Sequence, residues 1–147
     1  MKNILPKVCI LDYGSGNVNS VYNILNYMKY SVKISNNEEE IKNSSHIILP
    51  GVGSFGSAID KINKLLPINI LSKEVLEKRK PFLGICVGMQ VLATKGFENG
   101  EHKGLGWIDG VVRKIDSKNH SLPHIGWQGI NVKIKEPITL NISNLDF

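Results

Sequence analysis

A chain of 147 residues, 41% of them apolar, is long enough for one packed core and short for two, so a single domain is expected. The net charge of +5 comes from lysines spread along the whole length among acids. That pattern is a solvated surface, and without aromatic–basic interleaving it gives no reason to expect a nucleic-acid interface. The longest apolar runs are strand-sized, far below the roughly 20 residues of a bilayer span, so no membrane segment is expected. Met1–Pro6 lacks the apolar core of an export signal, and Cys9 and Cys86 are too far apart to be a metal pair or a disulfide framework. A cytoplasmic protein is the natural reading.

Val8–Leu11 is a short apolar run ended by the turn-rich Asp12-Tyr13-Gly14-Ser15-Gly16-Asn17, after which Val18, Val21, Tyr22, Leu25 and Met28 recur at helical spacing. Val32 and Ile34 alternate with polar neighbours, Asn36–Glu40 opens a short helix with acids in its first turn, and His46–Leu49 is a second buried run. Ser54 is a suitable N-cap for a helix whose stripe is Phe55, Ile59, Ile62 and Leu66, and Pro67 stops it. A further helix is predicted over Ile68–Arg79, a strand over Phe82–Ile85 and a helix over Val87–Thr94. Strands alternating with helices in this way predict an α/β fold: a mostly parallel sheet with helices on both faces. Beyond Gly96 glycines punctuate the chain, Val111–Ile115 reads as a strand, and Ile130, Val132 and Ile134 alternate with polar residues. Antiparallel β-structure is therefore expected in the C-terminal third.

Two loops carry the chemistry. Gly84-Ile85-Cys86-Val87-Gly88 is a G-x-C-x-G between a predicted strand and a predicted helix, a nucleophile elbow with sulfur in place of oxygen. The tight turn presents the Cys86 thiol at the C-terminal edge of the sheet, and the helix behind it offers a field favouring thiolate and the Val87 N–H for a developing oxyanion. A buried structural cysteine is the ordinary alternative. Pro50-Gly51-Val52-Gly53-Ser54-Phe55-Gly56 ends the preceding predicted strand, so in a parallel sheet it lies on the same edge. Lacking a P-loop lysine, it suits a second oxyanion donor, from Val52 or Gly53, better than a phosphate cradle, with a simple tight turn as the competing explanation. Cys9 reads as a small apolar strand residue. His46, His102 and His120 read as structural or solvated.

Taken together, the 12–17 loop, PGVGSFG at 50–56, PFLGICVGMQVL at 81–92 and Leu122-Pro123-His124-Ile125-Gly126-Trp127 resemble the class I glutamine amidotransferases, which share a flavodoxin-like sheet, and among them the glutaminase subunits of imidazole glycerol phosphate synthase. The resemblance runs from about residue 7 to about residue 130. It implies hydrolysis of glutamine to glutamate and ammonia, without metal or cofactor. The ammonia passes to a (β/α)₈ cyclase partner in a heterodimer, which makes imidazole glycerol phosphate and an aminoimidazole carboxamide ribotide in histidine biosynthesis. By motif it implies Cys86 as the acyl-forming nucleophile, Val87 with Val52 or Gly53 as oxyanion donors, and Gln90 and Gly51 at the substrate glutamine. Asn17, His124 and Trp127 fall where the family meets its synthase partner.

One part of the family's pattern is not in these residues. The resemblance calls for a His-x-Glu pair as the base and its orienting carboxylate, and the sequence contains none. The chain is therefore expected to be a C-terminally truncated member, a poor glutaminase as it stands. Other readings stay open on sequence grounds: a paralogous amidotransferase feeding a surface-polysaccharide sugar, a catalytically dead binding subunit, or a cysteine hydrolase of other specificity.

Overall fold

The computed structural model describes residues 6–117, 122–123 and 125–132. Contacts divide the chain into two compact units, Met1–Lys114 and Ile115–Phe147.

In the first unit the chain alternates strand and helix as its apolar periodicity dictates: β1 (Lys7–Leu11), α1 (Val18–Tyr27), β2 (Ser31–Ser35), α2 (Glu38–Asn43), β3 (His46–Gly51), α3 (Phe55–Leu65), α4 (Ile68–Ser72) and β4 (Phe82–Cys86). These strands form one parallel sheet in the order β2-β1-β3-β4. Because side chains alternate across a strand, the two faces sort by parity. Cys9, Leu11, Ile47 and Leu49 face a core with Ile41 of α2, Phe55, Ala58, Ile59 and Ile62 of α3, and Leu71 of α4, while Val8, Ile10 and Ile48 face Val18, Val21, Tyr22 and Leu25 of α1. Helices thus cover both faces, as expected of a parallel sheet. The α1 side is thinly covered among the described residues: on β4, Leu83 pairs in register with Ile48 yet is 42% exposed, and Ile85 is 37% exposed. No helix among the described residues is long and apolar enough to cross a membrane.

The helix expected over 68–79 starts as α4 and continues as a π-helical turn, Lys73–Glu77, closed by the Lys78 N–H on the Lys73 carbonyl. The helix expected over 87–94 is a single turn, α5 (Val87–Gln90), because the chain bends at Val91 and Leu92 into β5 (Ala93–Gly96). That strand is the centre of a second, three-stranded sheet, antiparallel to β6 (His102–Lys103) and parallel to β7 (Ile108–Val112). The C-terminal β-structure is therefore mixed, and the strand read over 111–115 lies three residues earlier. The parallel pairing with β7 was hidden because its strands are too short for the period-2 pattern to reveal direction.

In the second unit, Ile125 and Trp127 are exposed, the latter 85%. Ile130 and Val132 lie in no strand, and His120, His124 and Ile134 lie outside the described residues.

One buried charge cluster ties the helical layer together. Glu74, 2% exposed, accepts from Lys78 at 2.6 Å and Lys80 at 2.8 Å, and Lys80 also donates to the carbonyls of Ile41 and Lys42 at the end of α2. The hydrogen bonds from Lys78 and then Lys80 hold the Glu74 carboxyl below the usual carboxylate range. A lowered folded-state value stabilises the fold above the unfolded glutamate value of about 4.3, and that stability is lost as pH falls through the folded value. Glu74→Gln should therefore lower the thermal unfolding midpoint by several degrees at pH 7, with the gap to the parent closing in acid. A gap independent of pH would show that the ionised carboxylate is not what stabilises this position.

Candidate active site

The C-terminal ends of β1, β3 and β4 place three loops side by side. β3 and β4 are in register through Pro50–Ile85 and Gly51–Cys86, so the PGVG turn and the thiol elbow leave the sheet together. Cys86 sits at the junction of β4 and α5 with φ 56° and ψ −120°, a sparsely populated conformation for a residue with a side chain. Two close approaches explain the flanking glycines. A Cβ on Gly84 would lie 2.6 Å from the Gly88 carbonyl oxygen and from the Met89 Cα, and one on Gly88 would collide with the carbonyl of Leu49. The elbow therefore folds flat against its own helical turn and against β3, which leaves the thiol outward: Cys86 is exposed, whereas Val87 and Gly88 are buried.

The 12–17 loop braces the PGVG turn. Ser15 Oγ donates to the Val52 carbonyl at 3.1 Å, and a Cβ on Gly16 would lie 2.9 Å from the Pro50 carbonyl oxygen. Since the peptide is trans-planar, tying the Val52 carbonyl to Ser15 turns the Gly53 N–H to the opposite side. Asn17, expected at a partner surface, has a local duty as well: its side chain accepts from the Ser20 N–H and caps α1. Ser54 stands at the N-cap of α3 but makes no side-chain cap bond. The Phe55 N–H is instead satisfied by the Glu98 carboxylate at 2.8 Å, reached from the loop after β5.

A cavity of about 550 Å³ opens at the thiol, lined by Gly53, Cys86, Val87, Gln90, Glu98 and Arg113 among others. Of the residues expected at the site, Cys86, Val87, Gly53 and Gln90 come together here. Val52 does not line the cavity and is half exposed, and Gly51 is buried beneath the turn as the register partner of Cys86. Sequence reasoning passed over Glu98, Arg113 and Lys114, which put charges of both signs on the cavity wall. No motif marks them, because their loops are brought to the thiol by the pairing of β5 with β7. Trp127 belongs to the second unit, and His124 lies outside the described residues.

Neither histidine among the described residues lines this cavity. His46 begins β3, at the opposite end of the sheet from the thiol. The His102 ring packs on Gly56, where a Cβ would come within 2.5 Å of it, and lies 6.5 Å from the Phe55 ring.

The two cysteines differ sharply. Cys9 is 1% exposed, and burial, with a smaller contribution from Glu40, pushes its thiol up to about 11. Iodoacetamide at pH 8 should therefore label Cys86 and spare Cys9 in the folded chain, as read by peptide mass mapping. Equal labelling of the two would contradict the exposed elbow.

Comparison with known proteins bears on this geometry. Residues 9–138 match the family described as Glutamine amidotransferase class-I. The chain is 41% identical to an imidazole glycerol phosphate synthase subunit HisH of Pelagibacter ubique, covering 93% of the chain and 69% of that relative. It is 42% identical to the subunit of the same name in Caldanaerobacter subterraneus, covering 94% of the chain and 67% of the relative. A solved structure of a putative peptidase E protein from Listeria monocytogenes shares the fold at a TM-score of 0.52, with 11% identity over 65% of this chain and 54% of that one. The thiol elbow, the glycine turn beside it and the extent of these matches agree: the chain belongs to the class I glutamine amidotransferase family.

Proposed function

We propose that this chain is the glutaminase subunit of a cytoplasmic imidazole glycerol phosphate synthase, supplying ammonia to a (β/α)₈ cyclase subunit in histidine biosynthesis. The observation that carries this reading is the strained Cys86 elbow opening on a cavity with both positive and negative groups. Free glutamine is a zwitterion with an uncharged amide at its far end. Glu98 offers a carboxylate for the α-ammonium, and Arg113 and Lys114 offer cations for the α-carboxylate, while Gln90, in the helical turn behind the thiol, can hydrogen-bond the substrate. Names shared by relatives about 41–42% identical over most of the chain support the same assignment.

In this reading Cys86 Sγ attacks the side-chain carboxamide carbon of glutamine. The carbonyl oxygen becomes an oxyanion held by the N–H groups of Val87 and Gly53, and ammonia leaves as the thioester forms. Water then cleaves the thioester to glutamate and restores the thiol. Asn17, His124 and Trp127 would meet the cyclase subunit; an exposed indole fits that role.

Proton transfer needs a base, and these 147 residues contain no His-x-Glu pair. We infer that the base comes from a further segment. General-base assistance is typically worth 10²–10⁴-fold in rate, about 3–5 kcal/mol. With the cyclase subunit present, glutamate release should rise by roughly that factor when a His-x-Glu segment from a relative is supplied, and Cys86→Ala should abolish the gain. Turnover that survives Cys86→Ala would remove the nucleophile assignment. Full-speed turnover by the 147 residues alone would remove the need for an added base.

A further inference from the structure

The turn that joins β5 to β6 carries a chemistry the amidotransferase reaction does not use. Residues 97–101 connect these two antiparallel strands, and at their centre stands Asn99-Gly100. It is the one Asn-Gly pair in the sequence; every other asparagine is followed by a residue with a side chain. Asn99 has φ 57° and Gly100 φ 128°, so the chain passes through the left-handed region at two successive residues. Asparagine and glycine tolerate that conformation, which accounts for the pair as a turn. It leaves open what the pair does once it is there.

Asparagine is thermolabile because its side-chain amide carbon is open to attack by the backbone nitrogen of the next residue. A side chain on that next residue obstructs the attack, and glycine has none. Here the surroundings leave the site open as well: beyond the adjacent residues, the one heavy atom within 4 Å of where a Cβ on Gly100 would stand is His102 Nε2, at 3.7 Å. Both Asn99 and Gly100 are exposed. Among the described residues no hydrogen bond holds the Asn99 side chain or the Gly100 N–H, whereas the side chains of Asn17 and Asn37 are each committed to a helix cap.

We propose that Asn99 is a self-modification site, converted through a cyclic imide to aspartate and isoaspartate, which places a new negative charge on the wall of the Cys86 cavity. The Gly100 nitrogen bonds to the Asn99 side-chain carbonyl carbon. The bond from that carbon to the amide nitrogen breaks, and the amide leaves as ammonia, taking the proton that Gly100 gives up. Water then opens the ring. Opening at the side-chain carbonyl gives aspartate, and opening at the Asn99 backbone carbonyl leaves the chain running through the side chain as isoaspartate. The net change is one water consumed and one ammonia released, with no electron exchanged.

The position of the turn gives the modification its consequence. Asn99 lines the cavity with Cys86, Glu98, Arg113 and Lys114. Its conversion sets a second carboxylate next to Glu98 and opposite in sign to the two cations. A charge-changing modification acts through the field it adds, and at a solvated wall one charge alters the local concentration of a small anion by about twofold. The isoaspartyl form also adds a methylene to the backbone directly after Glu98, whose carboxylate holds the Phe55 N–H at 2.8 Å. The inference concerns the cavity wall and does not depend on which amide Cys86 attacks.

The test begins with the folded 147-residue chain held at 37 °C and pH 8 over days, then digested and mapped by mass, with isoaspartate located by enzymatic methylation. Aspartate and isoaspartate should accumulate at position 99 ahead of every other asparagine, and Asn99→Gln, which must close a larger ring, should stay unmodified there. An Asn99 that remains intact in the folded chain while the same chain reacts in urea would overturn the proposal, because the turn itself would then forbid the ring. The charge on the cavity is read from Cys86, as its alkylation rate with iodoacetate divided by that with iodoacetamide at one pH, a ratio from which thiol ionisation cancels. Asn99→Asp should lower the ratio about twofold, as should the aged parent separated by ion exchange. A ratio equal to that of the fresh parent in both would overturn the placement of the new charge at the cavity.

Discussion

The site depends on one backbone constraint: Cys86 must hold a positive φ between the last residue of β4 and the first turn of α5. Such a conformation costs of order 1–3 kcal/mol and persists only where its surroundings over-determine it. Here they do. Parallel pairing fixes Cys86 beside Gly51, Gly84 and Gly88 let the turn close on itself, and Val87 and Val91 anchor the far side in the core. The strain is held by packing of the sheet, and its product is a thiol directed outward from a buried turn.

The same packing assembles the remaining parts from distant stretches of chain. The 12–17 loop holds the Val52 carbonyl through Ser15, which orients the following peptide. Glu98 satisfies the first N–H of α3 while its carboxylate lines the cavity. Glu98 thus links the start of α3, which directly follows the PGVG turn, to the wall of the cavity at Cys86. A change there would act on the turn and on the cavity wall together, so its effects on the two would not separate cleanly.

Much of this was legible in the sequence because the first hundred residues keep a strict rhythm. Runs such as Val8–Leu11 and His46–Leu49 are continuous and apolar as doubly covered strands must be, and helical stripes follow each. The elbow was visible as a motif because its glycines answer to steric contacts that any such turn makes. Less legible were features set by tertiary pairing. The single-turn α5 gives way to β5 where local pattern favoured a longer helix. The Glu98 carboxylate, rather than a side-chain bond from Ser54, satisfies an N–H at the start of α3, and Arg113 with Lys114 reaches the cavity only through the pairing of β5 and β7.

What the elbow achieves is separable from what turnover needs. Presentation of the thiol, with Val87 and Gly53 beside it at the cavity, is seen in these residues, whereas a His-x-Glu pair to serve as the base is not among them. A covalent complex isolates the first from the second. The decisive measurement is a crystal structure of the chain after reaction with a diazoketone analogue of glutamine. The account requires a bond from Cys86 Sγ to the analogue, with its carbonyl oxygen within hydrogen-bond distance of the Val87 and Gly53 N–H groups and its amino-acid end between Glu98 and Arg113. An adduct on Cys9, or one on Cys86 whose oxygen points away from both N–H groups, would contradict it.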